Sequence, residues 1–380
     1  MLDENVRIII GADVVPTAGN MNALANGDAA AVFNDVAGFL AAADFTIANL
    51  ECPLTTGQRP ITKMGPALKA APASVNGLAA AGIKAYSLAN NHILDYGAAG
   101  LFDTLGAIEA AGCRHAGAGE NLAAAKKPLL VEIKGRKLAF LCVAEHEFSI
   151  AGEDSPGANP YDALDIFDEI RTLKASADAL FVLYHGGAEE YRLPSPRLQK
   201  TVRKMAEQGA DYVICQHSHC VGAYEQYLDS HLVYGQGNFL FADYDNELGR
   251  EGLLVTAVVG REKTIGFTPI EKCGDAVRLA KDAAATAILA PFRERSAKLV
   301  DPQYVKAQWE AFCLSQQYRY LGGFSGLSDI LLSIDYRLNR CLTKMMYDRK
   351  KIAALYDYTY CEAHHDAVKT LLQQLRGKIQ

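Results

Sequence analysis

The sequence predicts an α/β protein with a largely parallel sheet, followed by a helical C-terminal region. Strand-like apolar runs alternate with helix-like segments from residue 6 to about residue 270, which is typical of βαβ units. Five of these runs end in polar residues: Asp13, then Asn49 and Glu51, then Asn90 to His92, then His185, then His217 and His219. Because open α/β sheets bind ligands at the carboxyl ends of their strands, we expect one crevice there.

In the first part of the chain, three predicted strands alternate with three predicted helices. The strands are residues 6–10, 45–50 and 85–88, and the helices are residues 29–43, 71–81 and 100–111. The apolar spacing at positions 32, 36, 39 and 40 predicts the first helix. Pro53 ends the second strand, since proline cannot donate to a central sheet. Residues 57–66 are predicted as a surface loop near the strand ends.

The second part begins with a predicted hairpin over 129–143, turning at 134–136. Helices follow at 161–176 and 195–208, and strands at 179–184, 211–215 and, broken by glycines, 231–241. Segments 252–259 and 264–270 are predicted to form an antiparallel pair. From residue 275 the pattern is helical, which predicts domains at 1–274 and 275–380. The basic residues of the second domain, Arg337, Arg340, Lys344, Arg349, Lys350 and Lys351, indicate either a solvated helix face or a contact with an anionic ligand.

Composition excludes several classes of protein. The formal net charge of −6 argues against a broad nucleic-acid-binding surface, and the apolar runs are shorter than the roughly 20 residues that cross a bilayer. The first residues show no signal-like segment, and the nine cysteines are scattered without a C-x-x-C pair. We therefore expect a cytoplasmic protein without a membrane span; the oligomeric state is left open.

The histidines are the clearest chemical signal. His217 and His219 stand two residues apart after a strand, and His185 follows a separate buried-type strand. Neutral imidazoles so close together are a common way to bind a transition metal, although polar loop histidines without a metal are the alternative for the pair alone.

Three further strand ends supply candidate oxygen ligands, Asp13, Glu51 and Asn91. Taken singly, an aspartate there is also typical of a helix cap, and an asparagine of a turn. Imidazoles together with carboxylate and amide oxygens favour Zn, Mn or Fe over Ca or Mg. His92 could then protonate a leaving group, while Asp95 either orients that imidazole or caps the next helix.

Six ordered motifs carry a resemblance to a known family. They are GAD (11–13), NLE (49–51), NNHxxDxG (90–97), HGGxE (185–189), HSH (217–219) and YGQGNF (234–239). Together they resemble the CapA family of bacterial capsule and poly-γ-glutamate synthesis proteins, which is similar to the calcineurin-like metallophosphoesterase superfamily. The resemblance covers residues 6 to about 270.

This resemblance implies a four-layer α/β/β/α sandwich with metals at the strand ends. It assigns Asp13 and His219 to one metal, and Asn91, His185 and His217 to the other. Glu51 would bridge them and His92 would be the acid. Asn49, Asn90, Glu189 and Asn238 would support the ligands or face the substrate. The superfamily usually has Asp-x-His at the first strand, whereas Val14 and Val15 follow Asp13 here, and Asn-x-Glu replaces the bridging aspartate.

The resulting hypothesis is a hydrolase that uses one or two divalent ions (Mn, Fe or Zn). Its substrate would be a small phosphoester or an anionic polymer such as poly-γ-glutamate. The alternative is a non-catalytic accessory or binding protein in capsule or cell-wall polymer synthesis. A phosphatase also needs a cationic group near its metals, for which Arg59, Lys63 and Arg192 are the candidates.

Overall fold

The computed structural model describes residues 5–241 and 247–379. The chain divides into two compact units, Met1–Lys306 and Ala307–Gln380. The strands, in chain order, are β1 (Val6–Val15), β2 (Phe45–Leu50), β3 (Ala85–Ser87), β4 (Arg114–Ala116), β5 (Ala118–Gly119), β6 (Leu129–Ile133), β7 (Arg136–Ala144), β8 (Gly157–Ala158), β9 (Ala179–His185), β10 (Tyr212–Gln216), β11 (Tyr224–Tyr227), β12 (Ser230–Tyr234), β13 (Asn238–Phe241), β14 (Glu251–Val259), β15 (Lys263–Cys273) and β16 (Ala276–Leu279).

The helices are α1 (Met21–Ala25), α2 (Ala29–Ala41), α3 (Val75–Ala80), α4 (Gly97–Ala110), α5 (Leu122–Ala125), α6 (Ile166–Lys174), α7 (Pro196–Glu207), α8 (Asp282–Lys298), α9 (Pro302–Ser315), α10 (Gln317–Phe324), α11 (Asp329–Arg337), α12 (Cys341–Met346), α13 (Arg349–Tyr360) and α14 (Glu362–Ile379). The predicted helix at 71–81 begins with a short 3-10 turn, Pro72–Ser74, before α3. The predicted helix at 161–176 is shorter, because its regular part is α6.

Two sheets form the centre of the first unit. The larger has the order β16-β15-β14-β1-β2-β3-β4, with β13 also paired to β1, and the smaller has the order β11-β12-β10-β9-β7-β6. Strands β1 to β4 are parallel to one another, and so are β7, β9, β10 and β12. The parallel strands that carry the polar motifs therefore end together within each sheet.

A hydrophobic core lies between the two sheets. Phe181 stacks on Phe140 at 4.7 Å between ring centroids and on Tyr212 at 4.6 Å. These three side chains share one buried cluster with residues of β1, such as Ile8 and Ile10. Stacked aromatic pairs contribute about 0.5–1.5 kcal/mol beyond the burial of their area, and here they join neighbouring strands of the smaller sheet. The two sheets are held together by the shared buried cluster and by the Tyr212 hydroxyl, which donates to the Thr264 carbonyl of β15 at 3.1 Å.

Helices cover the outer face of each sheet. On the larger sheet, α2 buries Phe33 and Val36 in the same cluster as β1. On the smaller sheet, α6 and α7 bury Ile170 and Val202 in a second cluster with β9 and β10. The layers are thus helix, sheet, sheet and helix, and the α/β sandwich with C-terminal helices predicted from the sequence is confirmed.

The first unit extends further than the helical pattern suggests. The structure divides the chain after Lys306 rather than near residue 275. Residues 276–279, expected to be part of a helical region, form β16 paired with β15. Helix α8 also belongs to this unit, because Ile288 and Phe292 are buried with Val221 and Leu253.

Two buried glutamines link the sheets beside the candidate site. Gln216, at the end of β10, donates from Nε2 to the Gly11 carbonyl in β1 at 2.9 Å and to Oε1 of Gln236 at 3.0 Å. Gln236 donates in turn to the Ile10 carbonyl at 2.9 Å. Buried amides are stabilising only when their hydrogen bonds are satisfied, so this pair sets where β10 ends relative to β1.

The second unit is helical, with α10 to α14 as its complete helices. Among its residues whose side chains are described, 307–375, the buried ones are Gly322, Asp335 and Thr343, and none of the apolar side chains is buried. Throughout the described part of the chain, the helices are too short or too polar to cross a membrane.

Candidate metal centre

The polar strand ends named by the sequence converge in one buried crevice. Asp13, Glu51, Asn91, His185, His217 and His219 are each at most 6% exposed. Asp13 was expected at the end of a strand, but β1 continues to Val15. The register shifts on both sides of Asp13, against β2 and against β13. Such an irregularity re-aims a side chain, which explains how a residue inside a strand reaches the crevice.

Three groups of side chains bring potential ligand atoms within 4.8 Å of one another. They are Glu51 with His185 and His217, Asp13 with Glu51 and His219, and Glu189 with His217 and His219. The first two groups share Glu51, whose Oε1 lies 3.5 Å from His185 Nε2 and 3.6 Å from His219 Nε2. One carboxylate therefore lies between two clusters of possible ligands.

Glu51 is the residue that most needs an external partner. It is fully buried, and neither carboxylate oxygen has a hydrogen-bond partner among the described residues. Burial, and then the nearby Asp13 carboxylate, raise the pKa of Glu51 well above its ordinary value. An unpaired buried carboxylate costs several kcal/mol, and a divalent cation is the group that would compensate it. The residues present thus fit a metal.

The histidines are held in the form that binds metals. Burial, together with the imidazoles of His217 and His219, lowers the pKa of His185 well below its ordinary value. Burial, and then His219, lower the pKa of His217 to about 4. Near neutral pH both rings are uncharged, and neutral imidazole is the ligand form.

The loop after β10 places two histidines in an unusual backbone conformation. His217 has φ 95° and His219 has φ 51°, both in the region that non-glycine residues seldom adopt. Such a conformation costs of order 1–3 kcal/mol per residue and clusters at functional sites. Both rings lie near carboxylates, since His217 Nε2 is 3.4 Å from Glu147 Oε1 and His219 Nδ1 is 3.6 Å from Asp13 Oδ2. The His217 backbone N–H also donates to Asp13 Oδ2 at 3.2 Å.

Asparagines hold the ligands from behind. Asn49 donates from Nδ2 to Asp13 Oδ1 at 2.8 Å, and Asn90 donates to Asn49 Oδ1 at 3.1 Å. Asn91 differs, because its Oδ1 lies 3.0 Å from His185 Nε2, at the edge of the first ligand group. Asn49 and Asn90 thus act through other residues, whereas Asn91 can itself offer an oxygen.

Asn238 fixes the orientation of His219. Its Oδ1 lies 2.9 Å from His219 Nδ1, and an amide oxygen can only accept, so Nδ1 carries the proton and Nε2, beside Glu51, is the nitrogen that can bind a metal. The preceding glycines make this placement possible. Gly237 has φ +72°, and a Cβ there would lie 2.4 Å from the Glu251 carbonyl. Within the YGQGNF motif, position 237 therefore accepts only glycine.

His92 and Asp95 form a buried pair beside the ligands. His92 Nδ1 lies 2.7 Å from Asp95 Oδ2. Asp95 also accepts from Lys63 Nζ at 2.6 Å and from the Leu68 N–H at 2.7 Å. Of the three candidate cations, Lys63 is thus at the crevice. Arg59 is exposed, and Arg192 donates to the Val221 carbonyl at 3.0 Å.

Sequence reasoning missed one crevice residue, Glu147. Its Oε2 accepts from Asn91 Nδ2 at 3.1 Å, and its Oε1 lies 3.4 Å from His217 Nε2. The signal was present, since Glu145 and Glu147 directly follow β7 just as the other polar residues follow their strands. The hairpin predicted over 129–143 gives the end of its second strand no part in the crevice.

The fold is an α/β sandwich with buried groups of potential metal ligands at its strand ends. Residues 7–243 match the bacterial capsule synthesis protein family PGA_cap, to which this chain belongs. The resemblance inferred from the six motifs is confirmed.

Individual relatives cover only part of the chain. Over 219 residues the chain is 30% identical to the capsule biosynthesis protein CapA of Bacillus anthracis, covering 55% of this chain and 53% of that protein. Over 189 residues it is 33% identical to the PGA biosynthesis protein CapA of Bacillus subtilis, covering 48% and 49%. The chain thus spans about half the length of these curated relatives.

Among solved structures, the chain is similar to a phosphatase from Mycoplasma pneumoniae, with a TM-score of 0.47 and 14% identity over 71% of this chain and 95% of that one. It is also similar to a calcineurin-like phosphoesterase from Bacillus subtilis, with a TM-score of 0.35 and 13% identity over 80% of this chain and 99% of that one.

Proposed function

We propose that this chain is a metal-dependent hydrolase whose crevice binds one or two divalent ions of Mn, Fe or Zn. The observation that carries the proposal is Glu51, a fully buried carboxylate whose oxygens have no hydrogen-bond partner among the described residues. It lies between two groups of potential ligands. A protein tolerates such a group when a cation completes it.

Asp13, Glu51 and His219 would hold one ion. Glu51, Asn91, His185 and His217 would hold the other. Bound ions in such a site supply Lewis acidity and an activated water. Asn49 and Asn238 keep two of the ligands oriented, through Asp13 and His219 respectively.

The chain's own residues would supply the proton for the leaving group. His92 is buried at the crevice, and its Nδ1–H donates to Asp95. In the doubly protonated ring the second proton lies on Nε2; it would pass to the departing oxygen or nitrogen and leave the neutral Nδ1–H ring, a role that contributes typically 10²–10⁴-fold in rate.

The substrate we propose is anionic, either a phosphoester or a cell-envelope polymer such as poly-γ-glutamate. The family description and the Bacillus subtilis relative's name point to capsule and PGA synthesis. The carboxylates of Asp13, Glu147 and Glu189 would repel such a substrate from a metal-free crevice. Binding of the substrate therefore depends on the ions.

The test joins metal analysis to turnover. Protein purified without chelator is assayed for metal by elemental analysis, and for hydrolysis of bis-p-nitrophenyl phosphate and poly-γ-glutamate. We expect about one or two metal equivalents and metal-dependent turnover of at least one substrate. The double variant His217→Ala/His219→Ala should lose both, whereas His115→Ala, outside the crevice, should lose neither.

A variant of Asn238, which contacts the ligand candidate His219, gives a graded version of the test. Asn238→Ala removes the acceptor of His219 Nδ1 and should weaken metal affinity about 10- to 100-fold, measured by competition with a fluorescent chelator. Unchanged metal content in the double histidine variant would overturn the proposed centre. Bound metal without turnover of either substrate would favour a non-catalytic accessory role. A relative from Mycobacterium tuberculosis is named a probable polyglutamine synthesis accessory protein.

A further inference from the structure

Lys63 is a buried lysine in a segment that the sequence predicts as a surface loop. Its side chain is 3% exposed, and its Nζ lies 2.6 Å from Asp95 Oδ1 and 3.1 Å from His92 Nδ1. The ring of Phe148 lies 5.8 Å away. Burying an ammonium group is costly unless it is paired, and Asp95 is the carboxylate that pairs with it.

The partners show how Lys63 acts. His92 Nδ1 is 2.7 Å from Asp95 Oδ2, and a carboxylate accepts, so Nδ1 is the protonated nitrogen. An ammonium group can only donate. The contact between Lys63 and His92 is therefore not a hydrogen bond, and Lys63 influences His92 through Asp95.

Asp95 is fixed by three donors. Oδ1 accepts from Lys63, while Oδ2 accepts from His92 and from the backbone N–H of Leu68. The Asp95 carbonyl also accepts from the Ile61 N–H at 2.9 Å. The Asp95 carboxylate thus connects His92 to the loop that carries Lys63, and hydrogen bonds to both of its oxygens fix its orientation.

We propose that Lys63 is a positioning residue for His92. By holding Asp95, it keeps one His92 proton on Nδ1, so that the second proton of the charged ring lies on Nε2 and is the one given to the leaving group. Its charge is neutralised by Asp95, so it is not the substrate's anion-binding group, the role considered for it from the sequence. The inference rests on the proposed hydrolase function in that it assigns the residue a part in leaving-group protonation.

Lysine variants with a matched control test this role. Lys63→Met removes the ammonium group, and Lys63→Arg keeps a cation. Lys69→Met is the control, because Lys69 lies in the same segment but donates to the Gly57 carbonyl at 2.6 Å. Steady-state kinetics are measured on aryl phosphodiesters whose phenol leaving groups become progressively poorer.

We expect Lys63→Met to lower kcat about 10- to 100-fold on the ester with the poorest leaving group, and less on the p-nitrophenyl ester, because good leaving groups need little protonation. KM should change less than about twofold, since the lost effect is on the transition state. Lys63→Arg should restore part of kcat, and Lys69→Met should behave as wild type. A rise in KM alone, or an equal loss of kcat on every ester, would overturn the proposal.

A spectroscopic measurement separates this inference from the proposed function. The ¹⁵N NMR spectrum of histidine-labelled, zinc-treated protein reports which His92 nitrogen carries the proton, with His92→Gln for assignment. We expect an Nδ1–H tautomer in wild type and a mixture in Lys63→Met. If wild type hydrolyses neither these esters nor poly-γ-glutamate, the proposed function fails and this spectrum decides the inference alone; an unchanged tautomer in Lys63→Met would refute the inference.

Discussion

The two units of this chain use apolar residues in opposite ways. In Met1–Lys306, α7 buries Leu198, Val202 and Met205 against the smaller sheet. In Ala307–Gln380, α13 buries none of its residues, and Ile330 and Met345 are 74% and 76% exposed. The first unit is thus stabilised by packing between distant segments, and the second by local capping and helix hydrogen bonds, among the side chains described. A helical pattern in sequence does not tell which of these applies.

The largest difference between the units should appear in core truncations. Phe181→Ala removes the middle ring of the stack between Phe140 and Tyr212 and should lower the free energy of unfolding of the first unit by about 3–5 kcal/mol. Ile330→Ala should change the free energy of unfolding of the second unit by less than about 0.5 kcal/mol. Urea unfolding followed by near-UV circular dichroism of the buried tyrosines, which lie in the first unit, measures the first effect, and amide hydrogen exchange in α11 measures the second. Equal effects would show that the second unit has a core of its own.

A smaller effect is expected at Asp335, a buried carboxylate in the second unit. It accepts from the Leu342 N–H at 2.7 Å, from the Thr343 N–H and from the Thr343 hydroxyl. Asp335→Ala leaves those donors unpaired and should cost about 1–3 kcal/mol of local stability. Amide hydrogen exchange should then accelerate at the start of α12, while amides of β9 keep their protection. Asp366→Ala, at an exposed position of α14, is the control. If the amides of β9 lost their protection together with those of α12, the two units would unfold together.

The candidate site could be read from the sequence because each residue follows the same rule. Glu51, Asn91, His185 and His217 stand at or just past the end of a parallel strand, and parallel strands end on one edge. Asp13 lies two residues before the end of β1, where the shift of register turns it to the same edge. Lys63 could not be placed in this way, since a loop residue has no periodicity that gives its direction. Glu147 followed the rule but was hidden by the hairpin interpretation of β7.

The boundary between the units is set by packing that no local pattern reports. Helices α8 and α13 are both helix-like in sequence, yet Phe292 of α8 is buried with Leu253 of β14 and no residue of α13 is buried. Leu299 and Val305, beyond the predicted boundary, lie in the cluster of the smaller sheet. Which helix joins which core depends on contacts over long sequence separation, and the helical period is the same in both cases.

The smallest effect expected is a pH dependence of the first unit at His231, a residue outside the crevice. Its Nδ1 lies 2.8 Å from the Tyr224 hydroxyl, and its ring stacks on Tyr212. Burial lowers the pKa of His231 below its ordinary value of 6.5, so in the pH range just below 6.5 the unfolded chain binds a proton that the folded chain does not. Stability is therefore lost as the pH falls through that range and is kept above it. Urea midpoints at pH 7 and pH 5 should differ less in His231→Gln than in wild type, with His115→Gln as the control; an unchanged difference would mean that other groups carry the dependence.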